Sequence, residues 1–242
     1  MDDTDVTIER SGTVPRLEQR SRIVRAGACA GLIGPALFVA AWLIQAAARS
    51  EEFDLIGEPA SALAAGDAGW IQTVSFIVYG LMTLVFAAGL HRAMAPSRLG
   101  WIGPSLIGVT GVGLLWGAAF PLRREASGEL VDPGLHAVGG FMYFVVGTLA
   151  IIAIIPRMRA DARWRGLVPY SIVVAALLVA AHVVMAICAL PEDGPLRPYP
   201  GLTQLVFVVL LRVPWQLTMA VRMLRVPVAP ELRSRASAAS RG

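Results

Sequence analysis

The sequence has little charge and no lysine. Only 16% of its 242 residues are charged, and all 21 basic residues are arginine. A soluble domain averages about 25% charged residues. The charges that are present cluster in short segments between apolar runs of about 20 residues, the length that crosses a bilayer as a helix. This pattern excludes an ordinary soluble domain and predicts one multi-pass membrane bundle.

The sequence also lacks the short motifs of several enzyme and metal-site classes. It contains no HExxH, CxxC, GxSxG, Walker loop or dinucleotide-binding glycine fingerprint. Its three histidines fall at different predicted depths, which does not suit a tridentate metal site. Its two cysteines, Cys29 and Cys188, are predicted to lie in opposite leaflets, too far apart for a disulfide. We therefore expect no cofactor, no metal and no disulfide.

The apolar runs predict an all-α polytopic membrane protein, a bundle of six transmembrane helices. The predicted spans are 23–48, 70–90, 101–120, 137–155, 167–190 and 202–224. Disordered cytoplasmic tails are predicted at 1–22 and 226–242, which leaves a transmembrane domain at 23–225. The first apolar run is too long for the core of a signal peptide, so it is interpreted as an uncleaved helix.

The placement of arginine predicts the orientation. With the N-terminus inside, 16 arginines lie in inner segments and four in outer segments. Cytoplasmic loops are enriched in arginine, so the N- and C-termini are predicted to be cytoplasmic. The same placement accounts for the pI of about 9.7, and no nucleic-acid partner is expected. We expect a multi-pass protein of the cell (plasma) membrane, with membrane lipids as partners.

The sixth predicted span carries an arginine at its centre. Arg212 lies about 15 Å from the start of this span at 1.5 Å per residue, at a depth where a permanent charge is costly. Gln204, Val208, Arg212 and Gln216 recur every four residues, so they share one helix face, predicted to look into the bundle or a hydrated crevice. No predicted span contains Asp or Glu. Arg212 is therefore either a structural group held by carbonyls and a loop carboxylate, or the binding group for an anion.

Further candidates lie near the predicted outer ends of the helices. His182 lies about two turns from the outer end of the fifth span, and His136 opens the fourth span four residues after Asp132. Each has a plain alternative, a helix–helix hydrogen bond for His182 and an interfacial cap for His136. The outer loop at 49–69 contains Glu58 and Ser61. This loop either lies in the interface or folds back over the mouth of the bundle.

Several short stretches together resemble a known family. They are Gly31-Leu-Ile-Gly-Pro-Ala-Leu-Phe38, the run from Ser61 to Gln72 with Phe76, Phe120-Pro121, Gly134-Leu-His136, and Gly201-Leu-x-Gln204 with Trp215. Their order and spacing over residues 25–225 resemble the family called domain of unknown function 998. The resemblance implies a six-span prokaryotic membrane protein with no assigned reaction. The resemblance also identifies positions of the family pattern in this chain, but it assigns no role to them. These positions are Ser61, Trp70, His136, Gln204 and Trp215.

The sequence departs from that family pattern at two places. The family often has an acid shortly after the Phe-Pro pair, where this chain has Arg123 and Arg124. It also often has an arginine directly after the position of Gln204, where this chain has Leu205. Arg212 either replaces that arginine lower in the helix or is particular to this chain.

Together these residues predict an outward-facing polar crevice, with candidate lining residues Glu58, Ser61, His136, His182, Gln204 and Arg212. The favoured hypothesis is that the protein binds or handles an amphiphile or lipid whose anionic head group reaches Arg212. One alternative is an intramembrane enzyme, of hydrolase or cyclase type, that uses His136 with Asp132 or Ser61. Another is a small proton-coupled transporter that uses His182, which the absence of carboxylates from the spans disfavours.

Overall fold

Six membrane-length helices make up most of the chain. A computed structural model describes residues 3–132, 134–188 and 192–226. The stretches long and apolar enough to cross a membrane are Glu18–Ala48, Gly69–Ala93, Ile102–Ala119, His136–Ala160, Arg165–Cys188 and Pro200–Arg225. They match the six predicted spans, so the prediction of an all-α, six-helix membrane bundle is confirmed.

The elements alternate between long helices and short connecting segments. In order they are α1 (Asp3–Ala48), the 3₁₀ helix η1 (Ala60–Ala64), α2 (Gly69–Ala93), α3 (Ile102–Ala119), β1 (Arg123–Arg124), β2 (Leu130–Val131), α4 (His136–Ala160), the 3₁₀ helix η2 (Arg165–Leu167), α5 (Val168–Cys188), α6 (Pro200–Gln204), a π-helical segment (Leu205–Arg212) and α7 (Val213–Arg225). The strands β1 and β2 pair antiparallel as a small hairpin. The last three helical elements together form the sixth span.

Two helices are longer than the sequence predicts. Helix α1 is continuous from Asp3, so it runs through residues 3–22, where a disordered tail is predicted. Helix α4 continues to Ala160 although Pro156 lies inside it, whereas the predicted span stops at 155. Proline removes one backbone hydrogen bond, and the next residue, Arg157, donates to carbonyls of the connection between α2 and α3. The tail predicted at 226–242 lies outside the described residues apart from Val226, as do residues 189 and 190.

Most neighbouring spans in the chain pack against each other, and the last span packs back against the first. Helix α1 packs against α2 and α7, α3 packs between α2 and α4, and α5 joins α4 to the π-helical segment. Glycines set the closest contacts, since a Cβ on Gly27 would lie 2.6 Å from the Cα of Gly89, and one on Gly113 would lie 2.9 Å from the carbonyl oxygen of Gly139. Small residues permit this approach in a bilayer, where helices associate through packing rather than hydrophobic expulsion.

Helix α5 leaves the bundle partway along its length. Its buried residues are Val168, Ser171, Val174, Ala175 and Leu178, and the described residues that follow, 179–188, are exposed or half-buried. The second half of α5 therefore contributes little to the core. One side of the bundle, beside α4 and the π-helical segment, is therefore less covered there, although His182 still packs against Phe207.

Candidate functional site

The loop between α1 and α2 folds back onto the end of the bundle. Arg49 donates hydrogen bonds to the carbonyls of Leu63 (3.0 Å) and Ala65 (3.1 Å). The amide of Ala60 donates to Oε1 of Gln204 at 2.8 Å, which ties η1 to the sixth span. The residues Ala60, Ser61, Ala62 and Leu63 are buried. Of the two arrangements that the sequence leaves open, the structure has the fold-back over the bundle mouth.

A cavity of about 60 Å³ lies directly beneath η1. Three of the predicted crevice residues line it, namely Ser61, His136 and Gln204. Its walls are otherwise mostly apolar and aromatic, formed by Phe38, Trp42, Ala60, Phe76, Gly113, Leu114, Gly117, Gly139, Gly140, Tyr143, Phe144 and Val208. A site with a few polar groups on an apolar wall is typical of pockets for small organic ligands.

The imidazole of His136 has a fixed orientation at the rim of this cavity. Its Nδ1 lies 2.9 Å from the carbonyl oxygen of Phe120, and a carbonyl only accepts, so Nδ1 carries the hydrogen. In the neutral ring, Nε2 is then left with its lone pair. The predicted partnership between this imidazole and Asp132 is not present, because both Asp132 oxygens accept backbone N–H groups at the start of α4, from Gly134, His136 and Ala137. Asp132 is a helix cap.

Glu58 is also held away from the cavity. Its carboxylate forms an ion pair with Arg124, with Nη2 and Oε1 2.6 Å apart. Arg124 lies in β1 at the position where the resembling family often has an acid. The pair therefore ties the outer loop to the β-hairpin, and Ser61 is the member of the predicted loop pair that reaches the cavity.

Arg212 is buried below the cavity and faces the bundle interior. Its residue is 7% exposed, and Nη2 donates to Thr110 Oγ1 at 2.9 Å. Its guanidinium lies over the ring of Tyr143, with Cζ 4.6 Å from the centroid. No carboxylate pairs with it among the described residues. The predicted inward face of Arg212 agrees with this placement, but Arg212 is not among the residues that line the cavity.

A chain of hydroxyl and amide groups continues below Arg212. The hydroxyls of Tyr79 and Tyr143 lie 3.3 Å apart, and the Tyr79 hydroxyl donates to Oε1 of Gln216 at 3.1 Å. Gln216 lies on the predicted polar face, but sequence reasoning did not single out the two tyrosines or Thr110. The signal available was that Tyr79 and Tyr143 are polar aromatic residues in the middle of predicted spans, where a hydroxyl needs a partner.

His182 does not reach the cavity. Its Nδ1 bonds to the carbonyl of Leu178 in its own helix at 2.7 Å, rather than to another helix as predicted by the plain alternative. Its ring packs against Phe207, with centroids 4.6 Å apart, and Phe207 packs against Phe144 of the cavity wall. Two aromatic rings therefore separate His182 from the cavity.

The opposite end of the bundle is organised by a second buried arginine. Arg157 is 5% exposed and donates to the carbonyls of His91, Met94, Ala95 and Gly100 in the α2–α3 connection. From the sequence, Arg157 contributes only to the number of arginines in inner segments, which predicts the orientation of the protein in the membrane. No group of three or more His, Cys, Asp or Glu side chains in the described part of the chain is placed to hold a metal ion.

Comparison with known proteins gives one match. The family model described as "Protein of unknown function (DUF998)" matches residues 32–222. No curated protein matches the chain, and no solved structure matches it. The matched region begins within the first span and ends within the last, so it includes the four middle spans in full, parts of the outer two and every residue of the cavity.

Proposed function

The chain belongs to the DUF998 family, which has no assigned activity, and we propose that it binds an amphiphile whose anionic head group enters the cavity beneath η1. The observation that carries this proposal is a mostly apolar cavity with three polar groups on its wall and, below it, a cation that no carboxylate of the described residues pairs with. Ser61, His136 and Gln204 offer hydrogen bonds, and Arg212 offers charge. We place the protein in the plasma membrane, with lipids as the source of the ligand.

The electrostatics favour an anion. A guanidinium keeps its proton at any physiological pH. Among the described residues, the partners of Arg212 are the hydroxyl of Thr110 and the side chains of Tyr143 and Tyr79. None of these groups is an acid paired with it. In a low-dielectric interior, an uncompensated charge acts over a longer range than in water. A negative head group in the cavity, on the other side of Tyr143, would offset it.

The small volume of the cavity favours an arrangement in which the head group of the amphiphile lies inside the cavity and its acyl chains lie outside it. A cavity of about 150 Å³ holds a benzene molecule, and this one measures about 60 Å³. The apolar part of the ligand therefore extends past Gly140 and Phe144 toward the less covered side beside α5. That side supports entry from the bilayer, since residues 179–188 of α5 are not buried.

A pair of matched substitutions on α4 tests the proposal. Gly140 lines the cavity, and a Cβ there meets nothing within 4 Å, so Gly140→Phe places a ring that obstructs the cavity without a backbone clash. Val138→Phe places the same ring at an exposed position of the same helix. We expect mass spectrometry of the purified protein to detect a co-purifying anionic amphiphile in the parent and in Val138→Phe, and to lose it in Gly140→Phe. Equal ligand content in all three proteins contradicts the proposal.

A second pair of variants tests the choice of an anion. Arg212→Met removes the charge at similar side-chain length, whereas Arg212→Lys keeps it. We expect Arg212→Met to lose the preference for anionic over zwitterionic lipid and Arg212→Lys to retain it. Unchanged lipid content in Arg212→Met overturns the role of the charge but leaves the cavity as the binding site.

One observation favours a second function, an intramembrane enzyme of hydrolase or cyclase type. The carbonyl of Phe120 orients His136 so that Nε2 is free to accept a proton, and the hydroxyl of Ser61 lines the same cavity. In this enzyme the hydroxyl of Ser61, rather than the carboxylate of Asp132, would act together with His136. We then expect a fluorophosphonate probe to label Ser61, and the substitution His136→Gln to abolish the labelling. Absence of labelling in the parent protein rejects it.

A further inference from the structure

We propose a second binding site, for the phosphate of an anionic phospholipid, at the end of the bundle opposite η1. A groove there is lined by Arg20 of α1, His91 and Arg92 of α2, Ser97 and Trp101 of the α2–α3 connection, and Arg157 of α4. The volume of this groove is about 520 Å³, and Met94 and Pro96 complete its lining. No acidic residue of the described chain lines it. Asp161, which accepts the amide of Ala95 beside the groove, acts on Arg157, whereas Arg20 and Arg92 form no ion pair among the described residues.

The fold brings these charges together from distant parts of the chain. Nε of Arg20 donates to the carbonyl of Arg92 at 2.9 Å, although 72 residues separate them. Arg157 is committed to the backbone of the same connection, where it bonds to the carbonyls of His91 and Gly100. Like charges held close repel one another. A bound anion would relieve this repulsion.

Donors remain free to hold that anion. The exposed guanidinium of Arg92 has no hydrogen bond or ion pair within the described residues, and Nη1 of Arg20 is not used by the two carbonyls that Arg20 contacts. The hydroxyl of Ser97 is exposed on the same side. A guanidinium matches the geometry of a phosphate with parallel N–H donors. Arg157 has no such donors left and contributes its charge alone.

The surroundings point to a lipid rather than a soluble phosphate. Trp101 is 56% exposed and Leu99 is 66% exposed, directly between the ends of two spans. Exposed tryptophan at a span end is typical of the head-group level of a bilayer. Basic pockets between helices at the cytoplasmic side are a known way of holding anionic head groups, and the arginine distribution predicts that this end is cytoplasmic.

The test compares two lipids that differ only in their head group. The full chain is purified in detergent and titrated with phosphatidylglycerol or phosphatidylcholine of identical acyl chains, and bound lipid is counted by native mass spectrometry. We expect phosphatidylglycerol to bind more tightly. The variant Arg20→Gln/Arg92→Gln is expected to weaken phosphatidylglycerol binding about tenfold and leave phosphatidylcholine binding unchanged.

Two further variants keep the result interpretable. Arg123→Gln/Arg159→Gln removes the same charge from exposed positions outside the groove and is expected to bind as the parent does. Ser97→Glu adds a negative charge at an exposed loop position, where folding is not at risk, and is expected to weaken phosphatidylglycerol binding as well. The proposal is overturned if Arg123→Gln/Arg159→Gln weakens phosphatidylglycerol binding as much as Arg20→Gln/Arg92→Gln does. It is also overturned if neither Arg20→Gln/Arg92→Gln nor Ser97→Glu weakens this binding.

The source of the phosphate and the identity of the site are tested in the same titration. Inorganic phosphate at millimolar concentration is expected not to displace phosphatidylglycerol. Displacement overturns the lipid assignment and makes the groove a soluble-phosphate site. Gly140→Phe, which obstructs the cavity at the other end, is expected to leave this binding unchanged. A loss in that variant instead assigns the bound phosphatidylglycerol to the cavity and overturns the second site.

Discussion

The guanidinium carbon of Arg212 lies 4.6 Å from the centre of the Tyr143 ring, and Tyr143 lines the cavity beneath η1. A desolvated cation–π contact contributes about 2 kcal/mol, whereas taking an ion out of water costs several kcal/mol. Nε of Arg212 is buried without a hydrogen-bond partner in the described part of the chain, and no carboxylate there pairs with the guanidinium. This imbalance connects the buried arginine to the proposed anionic ligand.

The hydrogen bond between Arg212 and Thr110 predicts a specific loss of stability. Thr110→Val keeps the side-chain shape but removes the acceptor of Nη2, so we expect it to lower the free energy of unfolding by about 1.5–3 kcal/mol. Unfolding in detergent, followed by circular dichroism, measures this. Thr148→Val is the matched control, because Thr148 bonds only to the carbonyl of Phe144 in its own helix. We expect it to change stability by less than about 0.5 kcal/mol.

A double-mutant cycle identifies the cause of that loss. In an Arg212→Met background the acceptor no longer has a charged donor, so Thr110→Val should cost little. If Thr110→Val costs the same in both backgrounds, its effect comes from packing or from its bond to Ile107, and the pairing with Arg212 contributes nothing measurable.

Gly147 provides a second test of the position of Arg212. A Cβ at Gly147 would overlap the guanidinium of Arg212, so Gly147→Ala has to displace a buried side chain. We expect a loss of about 1–3 kcal/mol in the same unfolding assay. In Gly140→Ala, on the same helix, the new Cβ meets nothing within 4 Å. That variant should be neutral or slightly stabilising, because alanine favours the helix. The reverse order of stability would place Arg212 elsewhere.

The spans were predictable because they depend on local composition. Each apolar run of sufficient length forms one spanning helix, and the boundaries agree to within a few residues except at the start of α1 and the end of α4. The predicted fourth span ends at 155, whereas α4 continues past Pro156 to Ala160. Arg157, one residue after the proline, bonds to a connection more than 50 residues away. Contacts at that separation leave no mark in the local sequence.

The candidate site was predictable only in part, for the same reason. Ser61, His136 and Gln204 converge as expected, since each lies near the same predicted end of the bundle. The partners of Arg212 come from α3 and α4, and Thr110 is 102 residues away. Sequence periodicity shows that a polar face turns inward, but it does not show what meets that face. Glu58 and His182 were misplaced because Arg124 and Phe207 intervene.

Asp161 predicts how stability depends on pH. Burial raises the pKa of Asp161, but hydrogen bonds from the Arg163 side chain and from the amides of Ala95 and Arg163 outweigh it, so the pKa is held below its ordinary value. The stabilisation is therefore complete above the unfolded-state pKa of about 4, and it is lost as pH falls through the lower folded-state value. Asp161→Asn should cost about 1–2 kcal/mol at pH 7.

Measuring the free energy of unfolding at several pH values distinguishes the effect of the Asp161 charge from a general loss of stability. The difference between the parent and Asp161→Asn should stay constant from neutral pH down to about 5 and shrink below about 4. Asp67→Asn, at an exposed loop position, should match the parent throughout. A difference that persists in strong acid would mean that the shape of the side chain matters and its charge does not.

The closed loop over the cavity predicts that Ser61 is protected. The background variant Cys29→Ser/Cys188→Ser removes both native thiols. In it, Ser61→Cys should react slowly with a membrane-impermeant maleimide on intact cells, because Ser61 is 7% exposed. Arg49→Met removes the donors that hold the carbonyls of Leu63 and Ala65. It should accelerate labelling of the same thiol several-fold, since the loop then opens more often.

Two reporter positions complete this experiment. Asp67→Cys lies at an exposed position of the same loop and should react quickly whether or not Arg49 is present. Ser97→Cys lies at the opposite end of the bundle and should react only after the membrane is permeabilised, because the arginine distribution places that end in the cytoplasm. Fast labelling of Ser61→Cys with Arg49 intact would mean that the loop is open at rest. Labelling of Ser97→Cys in intact cells would reverse the predicted orientation, and the cavity would then open to the cytoplasmic side.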